Sequence, residues 1–400
     1  MPSAGRTVYV AGAGIAGLTL ALALAKFGAT VVILERNKTV TELGAGVQLS
    51  PNARRVLNQL GLDKQIAAQS LEPEGIDVYP YRAKKPVVTL ALGETVRQRH
   101  GVPYAVMHRG DLAELLHRAC RRFANIDIAF DVRGFDAVTD ARGVSVTADE
   151  ASGSRSTRAF AFVGADGVHS TTRTRVLAGP PAVYSGTVAW RATIGMAALE
   201  GHLALDRTSL LLAPGYHAVC YPLPHRKMIN VALFARQKPA EAPGKQPVLP
   251  GAAIRSSRFD AIIEAAGDTW GYWPLATVAT PHWHAGGVGL IGDAAHAMLP
   301  FQAQGAAMAI EDAAILAPLL MTEPTAEAAF SRFAAMRMKR VARVARLSAR
   351  NAATFHMEWP FTLGRDLVLK LQGGTGHLRR LEWLYGFDTA PEVEGGANRP

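Results

Sequence analysis

Residues 7–36 read TVYVAGAGIAGLTLALALAKFGATVVILER, a strand, a glycine turn, a helix and a second strand. Thr7 to Ala11 is strand-like, Gly12-Ala13-Gly14-Ile15-Ala16-Gly17 forms the turn, Leu18 to Phe27 is an apolar helix, and TVVIL ends at Glu35-Arg36. Gly12 permits the tight turn, Gly14 lets backbone approach a pyrophosphate, and Gly17 lets helix and strand pack closely. Glu35 lies 18 residues beyond Gly17, where an acid binds ribose hydroxyls. This is a dinucleotide-binding βαβ unit, and the motif alone does not separate FAD from NAD. It also answers a targeting question. Val8 to Ala25 carries no charge and Lys26 follows, superficially like a signal peptide or a membrane span. The glycines break the run into two short elements folded back on each other, and export would remove the cofactor motif.

A chain of 400 residues predicts two domains, or one with a large insertion. With 49% hydrophobic and 19% charged residues it is globular rather than disordered. The net charge of +10 and pI near 9.8 invite a nucleic-acid reading. The basic residues, however, are spread along the chain apart from one late helix, so no nucleic-acid partner is expected, and attraction of anionic small molecules fits as well. Cys120 and Cys220 are the only cysteines, too few for a disulfide framework or a structural zinc site. No metal and a reducing cytoplasm are the expectations.

The stretch 286–318, GGVGLIGDAAHAMLPFQAQGAAMAIEDAAILAP, is a strand that delivers a carboxylate, Asp293, and a loop to the start of a helix. Asp293 is placed to accept from ligand hydroxyls. Pro300 shapes the loop, and free backbone N–H groups near Gly305 and Ala306 at the positive helix end suit an anion. Upstream, GAGVQLSPN at 44–52 places Gln48 in a glycine loop before Ser50, read as a helix cap with Pro51 in the first turn. At 108–112 His-Arg-Gly-Asp-Leu puts Arg109 at a helix entrance, with Asp111 read as its cap. At 165–173 an apolar strand delivers Asp166-Gly167, followed by Ser170 and Arg173, chemistry suited to ordered ligand hydroxyls and phosphate charge.

Together the Gly12–Gly17 fingerprint, the Asp166-Gly167 segment and the Gly292-Asp293 to Gly305 segment resemble, in order, the three motifs of the single-component FAD-dependent aromatic hydroxylases, the group A flavoprotein monooxygenases. The resemblance implies an α/β fold: a Rossmann-like FAD-binding domain, an inserted mixed β-sheet substrate domain and C-terminal helices. It implies FAD contacts by Gly12, Gly14, Ala16, Gly17, Glu35, Arg36, Gln48, Arg109, Asp166, Asp293, Pro300, Gly305 and Ala306. The expected division is 1–75, 103–182 and 281–345 for the FAD domain, 76–102 and 183–280 for the substrate domain, 346–385 for a helical region and 386–400 for a loose tail. The segment 326–356 is a helical pattern with seven basic side chains, among them Arg337, Arg340 and Arg343. It reads either as a solvated helix packed across the FAD domain or as an anionic-membrane dock.

The implied reaction is NAD(P)H-dependent hydroxylation of a small aromatic substrate, a hydroxybenzoate or hydroxylated N-heteroaromatic acid, by O2 through a flavin C4a-hydroperoxide. NADH or NADPH visits without a Rossmann unit of its own, since only one fingerprint is present. A monomer or homodimer without stable membrane insertion is expected. Three rivals stay open: a reductase of the same fold, a quinone-precursor hydroxylase docked on a membrane, and a non-enzymatic dinucleotide binder. A halogenase is disfavoured because Trp270 and Trp273 have the wrong spacing for its signature. The segment 216–222, YHAVCYP, resembles the His-x-x-x-Tyr-Pro strand of hydroxybenzoate and hydroxynicotinate hydroxylases. In a strand His217, Val219 and Tyr221 share one face and Ala218 and Cys220 the other. The resemblance makes His217 the acceptor of a phenolic proton and Tyr221 a donor to the substrate. About 13 Å of strand separates them, so they would flank a ring. Pro300-Phe301 stands where some members carry a polar side chain, which leaves a third polar partner open, Gln302 among the candidates.

Overall fold

The computed structural model describes residues 5–40, 46–151, 153–238, 244–247, 249 and 256–389. The fold is α/β with two principal sheets. The first has six strands, in the order His284–Ala285, Val288–Leu290, Ala161–Gly164, Thr7–Ala11, Thr30–Leu34 and Ile126–Ala129. All neighbours run parallel except the short edge pair His284–Ala285 with Val288–Leu290. Parallel strands are covered on both faces, which is why Val8, Val10, Val31 and Ile33 are wholly buried. The βαβ unit forms as expected, with its helix at Ile15–Lys26. That helix packs on Gly305–Thr322, the one described helix long and apolar enough to cross a bilayer. It is instead 78% buried within the protein, a core helix.

The second sheet has seven strands, in the order Gly271–Thr277, Val183–Gly195, Met228–Arg236, Tyr216–Leu223, Thr208–Ala213, Gly75–Tyr79 and Val88–Ala91. Its pairings are antiparallel except where Gly75–Tyr79 lies parallel to Thr208–Ala213, so the sheet is mixed. Side chains alternate between its faces. Trp190, Ala218, Cys220 and Val231 pack on Phe259 and Ile262 of helix Ser257–Ala266, an element the strand-rich reading of 183–280 did not anticipate. The opposite face carries His217, Val219, Tyr221, Asn230 and Phe234, and looks toward the first sheet's cavity.

Three local expectations are corrected. Helix Arg109–Cys120 is capped by His108, whose side chain accepts from Gly110 N–H, and not by Asp111. The Asp111 carboxylate reaches across to His225, at 2.6 Å, and Arg226, at 3.0 Å from its Nε. This latches the turn after strand Tyr216–Leu223 to the helix. Ser50 occupies the N-cap of helix Pro51–Gln59 but makes no capping bond; its hydroxyl donates to Asn52 and accepts from Gln304. Gly44 and Ala45 lie outside the described residues.

The basic helix, Ala326–Phe355, turns its key arginines inward. Arg337 is fully buried and donates to Glu311 at 2.6 Å and Asp312 at 2.7 Å. Arg340 makes two bonds to Glu311, at 2.7 and 2.8 Å. Asp312 also meets His296 at 2.6 Å and accepts the Gly292 N–H at 2.9 Å. Burial alone would raise its pKa, but His296 and Arg337 hold it down to about 2. Lys339, Arg346 and Arg350 are exposed while Phe330, Phe333, Val341 and Val344 are buried, so the helix is solvated on one face and packed on the other, as the first of its two readings had it. Part of the expected tail is also packed: Phe387 lies under Arg340 at 3.7 Å and Thr389 is buried. Residues 390–400 lie outside the described residues, as does most of the expected surface loop at 238–251.

Candidate active site

Two of the three motifs meet at Gly292. A Cβ there would lie 3.1 Å from Ala16 Cβ and 3.2 Å from Ala309 Cβ, so the Asp293 turn packs against the first fingerprint and the long core helix with little room for a side chain. Around this point is a cavity of about 430 Å³. Two helix N-termini open into it, Gly14-Ile15-Ala16 and Gly305-Ala306. Neither carries a side-chain cap bond or an acid in its first turn, so their orphan N–H groups and positive ends are available to an anion. Asp293, Gln48, Pro300 and Arg109 complete this side of the wall. These features fit FAD: donors for phosphate and for the negative N1–C2=O edge, and a carboxylate for ribityl hydroxyls.

Other expected residues act from behind the wall. Gly12, at φ +102, could not carry a Cβ, which would sit 2.6 Å from the Ala165 carbonyl oxygen; at Gly17 it would sit 2.0 Å from that of Gly12. Glu35 accepts the Ala13 and Asn37 N–H groups, each at 2.8 Å, and a carboxylate with about four lone-pair sites retains room for a ribose hydroxyl. Arg36 is exposed beyond it and outside the cavity wall. Asp166 is also off the wall, where Ala165, Gly167 and Val168 stand instead. Its carboxylate accepts from Ser170 and Thr172, shaping its own loop. Arg173 is not a phosphate ligand here: it is buried and donates to the carbonyls of Val168, Pro180 and Ala294.

The seven-stranded sheet supplies the far wall with Arg191, Tyr221, Asn230 and Trp273. A Cβ at Gly46 would lie 2.1 Å from Tyr221 Oη, so this glycine is what lets the loop before Gln48 close on the sheet. Arg191 faces the same space as Arg109; burial and that neighbouring cation both lower its pKa. Burial raises Tyr221 far above the ordinary phenol range, keeping it a hydroxyl. His217 lies two strand positions beyond Val219, in the wall of a second cavity. Its ring is enclosed by Phe234, Phe301 and Phe355, and its Nδ1 lies 2.8 Å from His356 Nε2. Burial and His356 hold it well below the ordinary histidine value, and its buried Nε2 has no partner. Arg191, Asn230, Trp273 and His356 were not among the expected site residues. Strand alternation would have set Arg191 on the face opposite Trp190, but only the pairing of the strands shows that this face is the one with Trp273 and Tyr221.

Two open helix N-termini and a carboxylate-bearing turn around one cavity, with Glu35 buried behind the first of them, fit a flavin-dependent enzyme of the α/β class. Residues 6–351 match the family model described as FAD binding domain, and the chain belongs to the FAD-dependent aromatic hydroxylases of group A. It is similar to 3-hydroxybenzoate 6-hydroxylase 1 of Aquipseudomonas alcaligenes, 31% identical over 97% of this chain and 99% of that protein. It is equally similar, at 31% identity and 98% coverage of both chains, to 3-amino-4-hydroxybenzoate 2-monooxygenase of Streptomyces cremeus. Its fold is shared with Klebsiella pneumoniae HpxO, solved with FAD and uric acid, at a TM-score of 0.82, 22% identity, 95% of this chain and 96% of the other. The protein is thus an FAD-dependent monooxygenase that hydroxylates aromatic rings.

Proposed function

We propose that NADH or NADPH and O2 drive hydroxylation of a small aromatic acid that already bears a hydroxyl, a hydroxybenzoate or an N-heteroaromatic counterpart. The observation that carries this reading is the pair of guanidiniums, Arg109 and Arg191, facing one cavity with the Tyr221 hydroxyl. Two cations in a partly desolvated space favour an anion, and a planar fork suits a carboxylate. The relatives named for hydroxybenzoates and aminohydroxybenzoates support the same class. The 1–75, 103–182 and 281–345 segments as a cofactor domain, and 76–102 and 183–280 as a substrate domain, are part of this proposal.

Bound flavin supplies the electron transfer and oxygen activation that no side chain here provides. The chain's own residues do the rest. Asp293 orders ribityl hydroxyls, and the N–H groups at Gly305 and Ala306 stabilise negative charge at the ring edge. Tyr221 donates to the substrate carboxylate or phenolic oxygen. A ring seated over Val219 has Tyr221 on one side and His217 on the other. His217, neutral and a weak base in its apolar enclosure, accepts the phenolic hydrogen bond at Nε2, which polarises the ring for attack. The test is a panel of hydroxybenzoates and hydroxylated N-heteroaromatics, scored by stimulated NAD(P)H oxidation and by product mass. A panel in which no member both stimulates oxidation and gains one oxygen atom defeats the proposal.

A further inference from the structure

The second cavity, of about 680 Å³, lies on the same face of the seven-stranded sheet as the flavin cavity. The two share Gln48, Val219, Pro300 and Ala303 in their walls, so they adjoin where the reacting ring must sit. Ile76 and Val78, then Leu210 and Leu212, alternate residues of two paired strands, form an apolar floor. Phe355 and Leu369 pack onto this cluster from the C-terminal helices. At the shared end Tyr104 donates to Gln48 and Asn351 to Gln302; helix Phe361–Arg380 adds the polar side chains Arg365, Gln372, His377 and Arg380 to the wall. Sites of roughly 300–1,000 Å³ enclose whole drug-sized ligands. A benzoate ring over Val219 fills only the His217 end of this space and leaves the part floored by Ile76 and Val78 unfilled.

The apolar surface also continues outward. Phe361 and Val368, both in the cavity wall, are 72% and 49% exposed, and Leu363, Leu367 and Leu371 extend the exposed apolar surface along the same helix. A ligand chain therefore has an apolar floor within the cavity and an apolar rim at the surface, with the polar side chains of helix Phe361–Arg380 to one side. We infer that the enzyme takes aromatic substrates carrying a linear apolar substituent, the ring at the flavin and the chain in this second cavity. This rests on the hydroxylase reading above and deepens its substrate class.

The experiment uses the FAD-loaded full chain and hydroxybenzoates bearing straight alkyl groups of one to eight carbons at each open ring position. Kd is read from the perturbation of the flavin absorbance, and hydroxylated product is followed separately. For at least one position Kd should fall about three- to fourfold per added methylene over the first several carbons, the fold-change of a fully buried CH2, with the chain-bearing compound hydroxylated. Ile76→Trp and Leu369→Trp, from opposite walls, should each abolish the chain-length dependence and leave Kd for the unsubstituted ring unchanged. Two variants and the wild-type series keep the test intact if one substitution misfolds. A Kd that is flat or rises with length at every position overturns the inference. So does a length dependence that survives both tryptophans, or chain-bearing compounds that bind without being hydroxylated. If small unsubstituted rings are hydroxylated while longer ones are rejected, the hydroxylase reading stands and this inference alone fails. If no ring compound of either kind perturbs the flavin or gives product, both fall.

Discussion

Arg337→Met should destabilise the protein by several kilocalories although the residue touches no substrate. Arg337, Glu311 and Asp312 have no solvent exposure, and the guanidinium bonds to both carboxylates at 2.6 and 2.7 Å. Methionine fills much of the volume but leaves two buried carboxylates without their shared cation. Glu311 retains Arg340 and Asn52, and Asp312 retains His296 and the Gly292 N–H, so the loss is that of one partner of a buried pair, ~3–5 kcal/mol. An unfolding entropy of ~2.1 cal/mol/K per residue over a chain of this length converts that to a fall in apparent Tm of about 4–6 °C. The assay is thermal unfolding of wild type and variant in saturating FAD, because unequal cofactor occupancy would itself shift Tm. Arg332→Met is the control: its 2.6 Å pair with Glu323 is part-exposed, and such pairs contribute up to ~1 kcal/mol, or about 1 °C. A fall at Arg337 no larger than at Arg332 would refute the view that this buried triad holds the core helix against the basic one.

Asp293→Ala should lower the flavin absorbance per protein and divert turnover to peroxide, read by oxygen uptake against product; unchanged coupling would remove Asp293 from the site. Glu35→Ala should weaken FAD retention by ~1.5–3 kcal/mol, the range for hydrogen bonds to charged groups, measured by FAD titration of the apoprotein. His217→Ala should cut hydroxylation and change its pH profile, and Tyr221→Phe should weaken substrate binding or raise peroxide. Wild-type affinity, coupling and pH dependence in both would clear that strand of any role. His356 gives a stability test. Burial, then Arg236, lowers it to about 4, so below an unfolded value of ~6.5 the unfolded chain binds a proton that the folded chain refuses. Its contribution is complete above that value and declines as pH falls toward about 4. Between pH 7 and 5 the loss is ~2 kcal/mol, and His356→Gln should show a correspondingly flatter change in urea midpoint.

Local chemistry made the cofactor side legible in the sequence. Gly12, Gly14 and Gly17 followed by Glu35 state a backbone path within one βαβ unit, and Gly292-Asp293 followed by Gly305 states another, because the steric and hydrogen-bonding demands are met by residues close in the chain. The alternation at 216–222 was equally readable, since a strand has a period of two. Pairing across long sequence distances was not. Nothing local says that His217 meets His356, that Asp111 reaches Arg226, or that 75–79 lies beside 208–213 and so floors a second cavity. The buried triad left a partial trace: Arg337 falls on the stripe of Phe330, Phe333, Val341 and Val344, where an arginine at helical spacing needs a buried acid, and Glu311-Asp312 interrupt an otherwise apolar helix. The basic composition of 326–356 pointed to a solvated helix packed across the FAD domain or to a membrane dock, without saying which arginines turn inward, because composition counts charges without register. Which charges meet is fixed by packing two helices together, and burying an ion without its partner costs too much for any other arrangement to persist.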